Sequence, residues 1–202
     1  MTRRRWRDAA GLVGGAAVLA ATAAGARRRL GAAETELFRT ANGLPDGMFA
    51  AVWPPMQYGT FGTVPALAAI ALARRRPRMA AALAASGTAG WLVAKAVKRV
   101  VVRERPAALL DAVGLRGKEE GDLGFPSGHA AVSAALTVAS GPYVGGETRR
   151  ALLALTAFVP FARVYVGAHF PLDVVGGSAL GLALGSGVNL ILGVSKDGRS
   201  TS

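Results

Sequence analysis

Long apolar runs with arginine blocks at their edges constrain this chain more than any other feature. The runs lie at residues 9–26, within 48–73, at 79–99, from His129 to about Gly141, from Arg150 to about Arg163, and from Pro171 to about Val194. A helix rises about 1.5 Å per residue, so roughly 20 such residues cross a hydrocarbon core of about 30 Å. The fold expected is all-α: an integral membrane bundle of about six transmembrane helices, built as a single domain over residues 1–202. Ala and Gly dilute the hydropathy, which blurs the span edges by several residues.

Apolar residues make up 51% of the chain and charged residues 18%, and the formal net charge is +12. On a soluble protein that charge would point to nucleic acid. Here the arginines stand in short blocks beside apolar segments, at Arg3 to Arg5, Arg27 to Arg29 and Arg74 to Arg76, with no DNA or RNA motif. The partners implied are membrane lipids, not nucleic acid, because juxtamembrane basic clusters are drawn to anionic headgroups. The chain has no cysteine, which excludes disulfides and thiolate metal sites.

The first run admits two readings. Its basic start and Ala24-Gly25-Ala26 resemble a cleaved signal peptide, but Arg27 to Arg29 directly afterwards argue for a retained span. Residues 32–42 read as a short amphipathic helix at the interface, stopped by Gly43 and Pro45, with an ordinary loop as the alternative. Pro54-Pro55 imply a break or late entry in the second span. Residues 103–125, with Glu119, Glu120 and Asp122, read as an exposed loop. Gly177, Gly181 and Gly185 form a small-residue stripe suited to close helix packing. Six spans put both termini on one side, together with Arg7, Arg78, Arg149, Arg150, Lys196 and Arg199. The positive-inside rule makes that side the cytoplasm of a multi-pass cell-membrane protein, with the active site at the extracytoplasmic end.

Three motifs carry the chemistry. Lys98 is followed after six residues by Arg105-Pro106. Pro126-Ser127-Gly128-His129 comes next, and then Arg163, His169 and Asp173. Lys98 and Arg105 are two helical turns apart, which predicts one shared helix face, with Pro106 ending the helix. Ser127 reads as the N-cap of the fourth span, whose free N–H groups and positive dipole end suit phosphate, and Gly128 allows close backbone approach. His169 and Asp173 are one turn apart, so the carboxylate meets the ring if these residues are helical. It then fixes the tautomer and leaves the other nitrogen as a nucleophile. Lys95, Arg99 and Arg103 are expected only to snorkel. No acidic cluster or His-rich helix offers a metal site, and no cofactor is expected.

In this order the three motifs resemble the signatures of the type 2 phosphatidic acid phosphatase superfamily, which includes membrane lipid phosphatases, bacterial acid phosphatases and vanadium haloperoxidases. The motifs cover residues 98–173, and the flanking apolar runs extend the likeness over most of the chain. One position departs: the third motif of the family usually begins Ser-Arg, and here it reads Ala162-Arg163. The resemblance implies metal-independent hydrolysis of a lipid phosphate, with His169 as nucleophile, Asp173 orienting it, and His129 as acid and then base. Lys98, Arg105, Arg163, Ser127 and the Gly128 N–H would hold the phosphate oxygens. The substrate implied is phosphatidic acid, phosphatidylglycerol phosphate, or a polyprenyl phosphate or diphosphate. A phosphotransferase acting on an alcohol acceptor is the enzymatic alternative, and a lipid-binding scaffold with a vestigial site is the non-enzymatic one.

Overall fold

The computed structural model describes residues 3–117, 121 and 123–192. Among these the regular elements are helices, apart from one isolated bridge between Glu104 and Leu123. The helices are α1 (Arg3–Ala26), α2 (Ala32–Asn42), α3 (Phe49–Met56), α4 (Thr63–Ala73), α5 (Pro77–Val101), α6 (Pro106–Leu109), α7 (Gly128–Ser140), α8 (Gly146–Tyr165) and α9 (Pro171–Leu192). By length and composition, Arg5–Ala26, Pro77–Val101 and Pro171–Leu192 are long and apolar enough to cross a membrane.

Helix α7 is the axis of the bundle, with nearly every residue from Ala130 to Ser140 buried. Its composition of Ala, Ser, Val and Thr lets neighbours approach closely. The glycine stripe of α9 lies against it in parallel. A Cβ on Gly177 would strike the Ser127 carbonyl, and one on Gly181 the Ala131 carbonyl. One on Gly185 would stand 3.0 Å from the Ala135 carbonyl oxygen. Helices α5 and α8 flank α7 antiparallel: Gly90 faces Ala131, and the Thr156 and Thr137 hydroxyls meet at 2.6 Å. Helix α1 closes the far side of α9, where a Cβ on Gly15 would stand 2.6 Å from the Ala179 carbonyl oxygen. The first run thus packs as an integral part of the bundle.

The second run is broken, as its prolines implied: α3 holds Pro54 and Pro55 within its eight residues, a turn at Gln57–Gly59 follows, and α4 is a separate helix of eleven residues. The chain breaks after Gly59, not at the prolines, where Thr60 turns extended with ψ 154°; Gly59 itself packs on His129, 2.9 Å from whose carbonyl carbon a Cβ would sit. The amphipathic helix expected at 32–42 is present as α2, capped by Gly43. The loop expected at 103–125 is only partly exposed, since Arg103, Pro106, Gly124 and Phe125 are buried. Glu119, Glu120 and Asp122 lie outside the described residues.

The motif residues collect at one end of the bundle, at the C-terminal ends of α5 and α8 and the N-terminal ends of α7 and α9. The Arg74 to Arg76 block lies at the other end, where Arg76 donates to the Tyr143 carbonyl at 3.1 Å.

Candidate active site

Lys98 occupies the last turn of α5, and its Nζ donates to the carbonyls of Leu123 at 2.7 Å and Gly124 at 2.8 Å. It thereby ties α5 to the strand of chain entering Pro126-Ser127. Helix α5 stops at Val101 because Val102 adopts a left-handed conformation with φ 50°. Residues 103–105 run extended, and Pro106 opens α6 instead of ending α5. Lys98 and Arg105 therefore do not share a helix face, contrary to the spacing argument; they reach the same cavity from two separate segments. Arg105 is oriented by donating to the Ala168 carbonyl at 2.8 Å, just before His169.

Ser127 caps α7 as expected, accepting from Ala130 N at 3.5 Å, and its own N–H donates to the Asp173 carbonyl at 2.8 Å. A Cβ on Gly128 would meet nothing within 4 Å, so the first turn of α7 faces open space where an anion can approach the backbone. His129 lines two cavities, of 690 Å³ and 340 Å³. The larger also takes in Arg105 and Arg163, and the smaller Lys98, Arg105, Gly128 and His169. The three cations, two imidazoles and the α7 N-terminus are thus brought together where the two cavities adjoin.

His169 lies in the link between α8 and α9 and is 1% exposed. The stretch from 169 to 173 is not one helical turn: Pro171 opens α9, and Asp173 sits in its first turn. Asp173 Oδ2 accepts from the Phe170 N–H at 2.9 Å, a carboxylate capping its own helix start. The same oxygen stands 3.6 Å from His169 Nδ1, one small side-chain movement from a hydrogen bond. Burial, and after it the positive charges of Arg163, Lys98, Arg105 and His129, push the His169 pKa well below its ordinary value. Both effects favour the neutral ring.

Of the residues read as snorkelling, Arg103 is placed otherwise, while Lys95 is exposed and borders a cavity. Lys95 lines the smaller cavity with Phe61 and Trp91, and its Nζ lies 3.7 Å from the Trp91 ring centroid. Arg103 is 6% exposed, and its Nη1 donates to Asp173 Oδ1 at 2.9 Å. Its two Nη atoms also grip Glu34, at 3.1 Å to Oε1 and 2.6 Å to Oε2. Arg103 directly follows left-handed Val102, where α5 ends. Sequence reasoning missed Arg103 and Glu34 as site residues, and no spacing joins two positions 69 residues apart. Ala162 lines neither cavity. It is fully buried in a cluster with Val52, Met56, Tyr165 and Val166, so the departure from Ser-Arg places a methyl in an apolar contact.

Comparison with known proteins agrees with this arrangement. The family model described as the PAP2 superfamily matches residues 78–195. A decaprenylphosphoryl-5-phosphoribose phosphatase of Mycobacterium tuberculosis is 34% identical over 127 residues, which is 63% of this chain and 68% of the relative. An undecaprenyl-diphosphatase of Sulfolobus acidocaldarius is 29% identical over 124 residues, 58% of this chain and 57% of the relative. Among solved structures, a transmembrane PAP2-type phosphatidylglycerolphosphate phosphatase from Bacillus subtilis superposes with a TM-score of 0.75 at 22% identity, covering 89% of this chain and 94% of that one. Aquifex aeolicus LpxE superposes with a TM-score of 0.69 at 23% identity, over 75% of this chain and 91% of that one. With all three motifs gathered at one end of an all-helical bundle and matched over residues 78–195, the chain belongs to the PAP2 superfamily.

Proposed function

We propose that this chain is a multi-pass membrane phosphatase that removes phosphate from a lipid phosphomonoester or diphosphate through a phosphohistidine at His169. The observation that carries the reading is the placement of buried His169 and half-buried His129 on one cavity with Lys98 and Arg105. The names of the two curated relatives favour a polyprenyl carrier as the lipid.

In the first step His169 Nε2 attacks phosphorus and the P–O bond to the leaving group breaks. His129, protonated, gives its proton to the departing oxygen. In the second step His129 takes a proton from water, whose oxygen attacks the phosphohistidine. The P–N bond breaks, inorganic phosphate leaves, and His169 is regenerated. Asp173 stabilises the positive charge on the His169 ring in the intermediate. Lys98, Arg105, Arg163, the Ser127 hydroxyl and the Gly128 N–H hold the equatorial oxygens, where charge spreads in the transition state.

The test is phosphate release by purified protein from polyprenyl phosphate, polyprenyl diphosphate and glycerophospholipid phosphates, with EDTA and with vanadate. Activity is expected to survive EDTA, since protein cations neutralise the phosphate. Vanadate is expected to inhibit, because it takes the five-coordinate geometry of the transition state. Arg105→Ala and Arg163→Ala are expected to lose turnover and vanadate sensitivity together. Activity that EDTA abolishes and metal restores, or indifference to vanadate, sinks the mechanism.

Lys95 bears on substrate choice. Lying in the smaller cavity beside Lys98, it is placed to meet a second anionic group on the headgroup. Lys95→Ala is expected to raise KM for the diphosphate about 10-fold, the scale of a lost charge contact. KM for the monophosphate should stay nearly unchanged. Equal effects on both substrates would remove that assignment.

The reading also places the site on the extracytoplasmic side, with both termini in the cytoplasm. A cysteine replacing exposed Ala112, near the site, is expected to react with an impermeant thiol reagent in intact cells, and one replacing Gly146, at the other end, is not. The reverse pattern would put the chemistry in the cytoplasm.

A further inference from the structure

We propose that Arg103 and Glu34 are positioning residues for the nucleophile: Glu34 clamps Arg103, and Arg103 holds Asp173 so that its second oxygen faces His169. The inference deepens the phosphatase reading and rests on it for the identity of the nucleophile.

The geometry is closed on every side. Asp173 is fully buried, with one oxygen on Arg103 Nη1 at 2.9 Å and the other on the Phe170 N–H at 2.9 Å. With both oxygens held, the carboxylate cannot rotate, and Oδ2 stays aimed at His169 Nδ1. Arg103 is fixed in turn by the two-pronged grip of Glu34, the geometry in which guanidinium and carboxylate bind most directionally. Its guanidinium also stacks over the Phe170 ring, 4.8 Å from the centroid. Glu34 is anchored in turn, since Oε1 also accepts from the Leu172 N–H at 2.9 Å. Helix α2 brings Glu34 to this place by burying Phe38 against Phe170, with ring centroids 5.3 Å apart.

Charge explains why two carboxylates are present. Arg103 alone would neutralise Asp173 and cancel its ability to stabilise a positive ring on His169. Glu34 returns the cluster to a net single negative charge. Burial works to lower the Arg103 pKa, but hydrogen bonding to Glu34 and the charge of Asp173 outweigh it and hold the guanidinium charged. The other charged groups around His169 are Arg163 from α8, Lys98 from α5, Arg105 from the segment before α6, and His129 from α7. All of these oppose a positive ring, and the carboxylate of Asp173, 3.6 Å from Nδ1, is the opposite charge set against them. Neither Arg103 nor Glu34 lines the cavities, which separates them from the cations that hold phosphate.

The chain has two histidines, so imidazole ¹⁵N resonances of full-length protein in micelles give a clean titration of His169 beside His129. Arg103→Gln removes a positive charge next to Asp173, and His169 is expected to protonate at higher pH than in the wild type. Arg103→Lys, which keeps the charge, is expected to restore most of the wild-type titration. Glu34→Gln retains an acceptor for the Leu172 N–H, so it tests the cluster even if Arg103→Gln fails to fold. It is expected to lower kcat about 10²-fold with KM changed less than about twofold, the pattern of a misplaced nucleophile with intact phosphate contacts. An unmoved His169 titration in Arg103→Gln overturns the proposal. So does a rise in KM at constant kcat in Glu34→Gln, which would make the cluster part of substrate binding. Wild-type protein that releases phosphate from no lipid tested would sink the phosphatase reading instead, while the His169 titration would still report on the cluster.

Discussion

His169→Ala is expected to release phosphate from its lipid substrate at least about 10⁴-fold more slowly than wild type, because no covalent route remains once the nucleophile is gone. The fold should hold. His169 borders an open cavity, so water replaces the lost ring instead of leaving a dry void. Rapid quench should trap an acid-labile phosphoprotein in the wild type and none in His169→Ala. His129→Ala offers the complementary result. With an activated aryl phosphate, whose departure needs little protonation, it should form the phosphoprotein and then retain it, since the water step lacks its base. A well-folded His169→Ala protein that turns over near the wild-type rate would remove His169 from the role of nucleophile.

Gly181→Val should be the most damaging single change to the bundle. Even a Cβ at this position would strike the Ala131 carbonyl, and it would press on Ala134 Cβ at 2.7 Å. These are backbone and short side-chain atoms of a fully buried helix, so neither can swing away. Helices α7 and α9 must separate, at a cost of about 3 kcal/mol. The loss should appear as a lowered thermal midpoint in micelles. Activity should fall with it, because the same seam sets Ser127 against Asp173. Gly14→Val, on α1 where a Cβ meets nothing within 4 Å, is the matched control and should leave the midpoint nearly unchanged. Equal midpoints for the two variants would contradict the packing described for α9.

The motif residues were legible because their chemistry is local. Ser127 caps its helix through contacts a few residues long, and Asp173 caps α9 while facing His169. The glycine stripe was legible too, since only close approach explains three glycines on one face of an apolar helix. What the sequence hid depends on single backbone torsions or on distant packing. The left-handed turn at Val102 breaks the apparent seven-residue periodicity joining Lys98 to Arg105, and Arg103 directly follows it. A valine in that conformation carries no sequence signal, because left-handed turns ordinarily announce themselves with glycine. Glu34 was hidden for a different reason: its value lies in a partner far along the chain, and a single charge on a short helix looks like any solvated face.

The catalytic motifs all fall within residues 98–173, yet the chain ahead of residue 78 is no passive anchor. Helix α1 covers the outer face of α9, and α2 reaches Arg103, the partner of Asp173, through one glutamate. On the proposed reading, the groups that break the bond and part of the brace that aims them therefore come from separate stretches of the polypeptide: Glu34 lies ahead of the matched region, and Arg103 within it. Each stretch can change under different pressures: residues along the cavities alter which headgroup fits, while residues on α2 alter how firmly the histidine is aimed. A fragment cut to the matched region would keep every reacting group and lose its alignment. It would also bare the α9 face that α1 covers, so it should associate with other copies before it ever met a substrate.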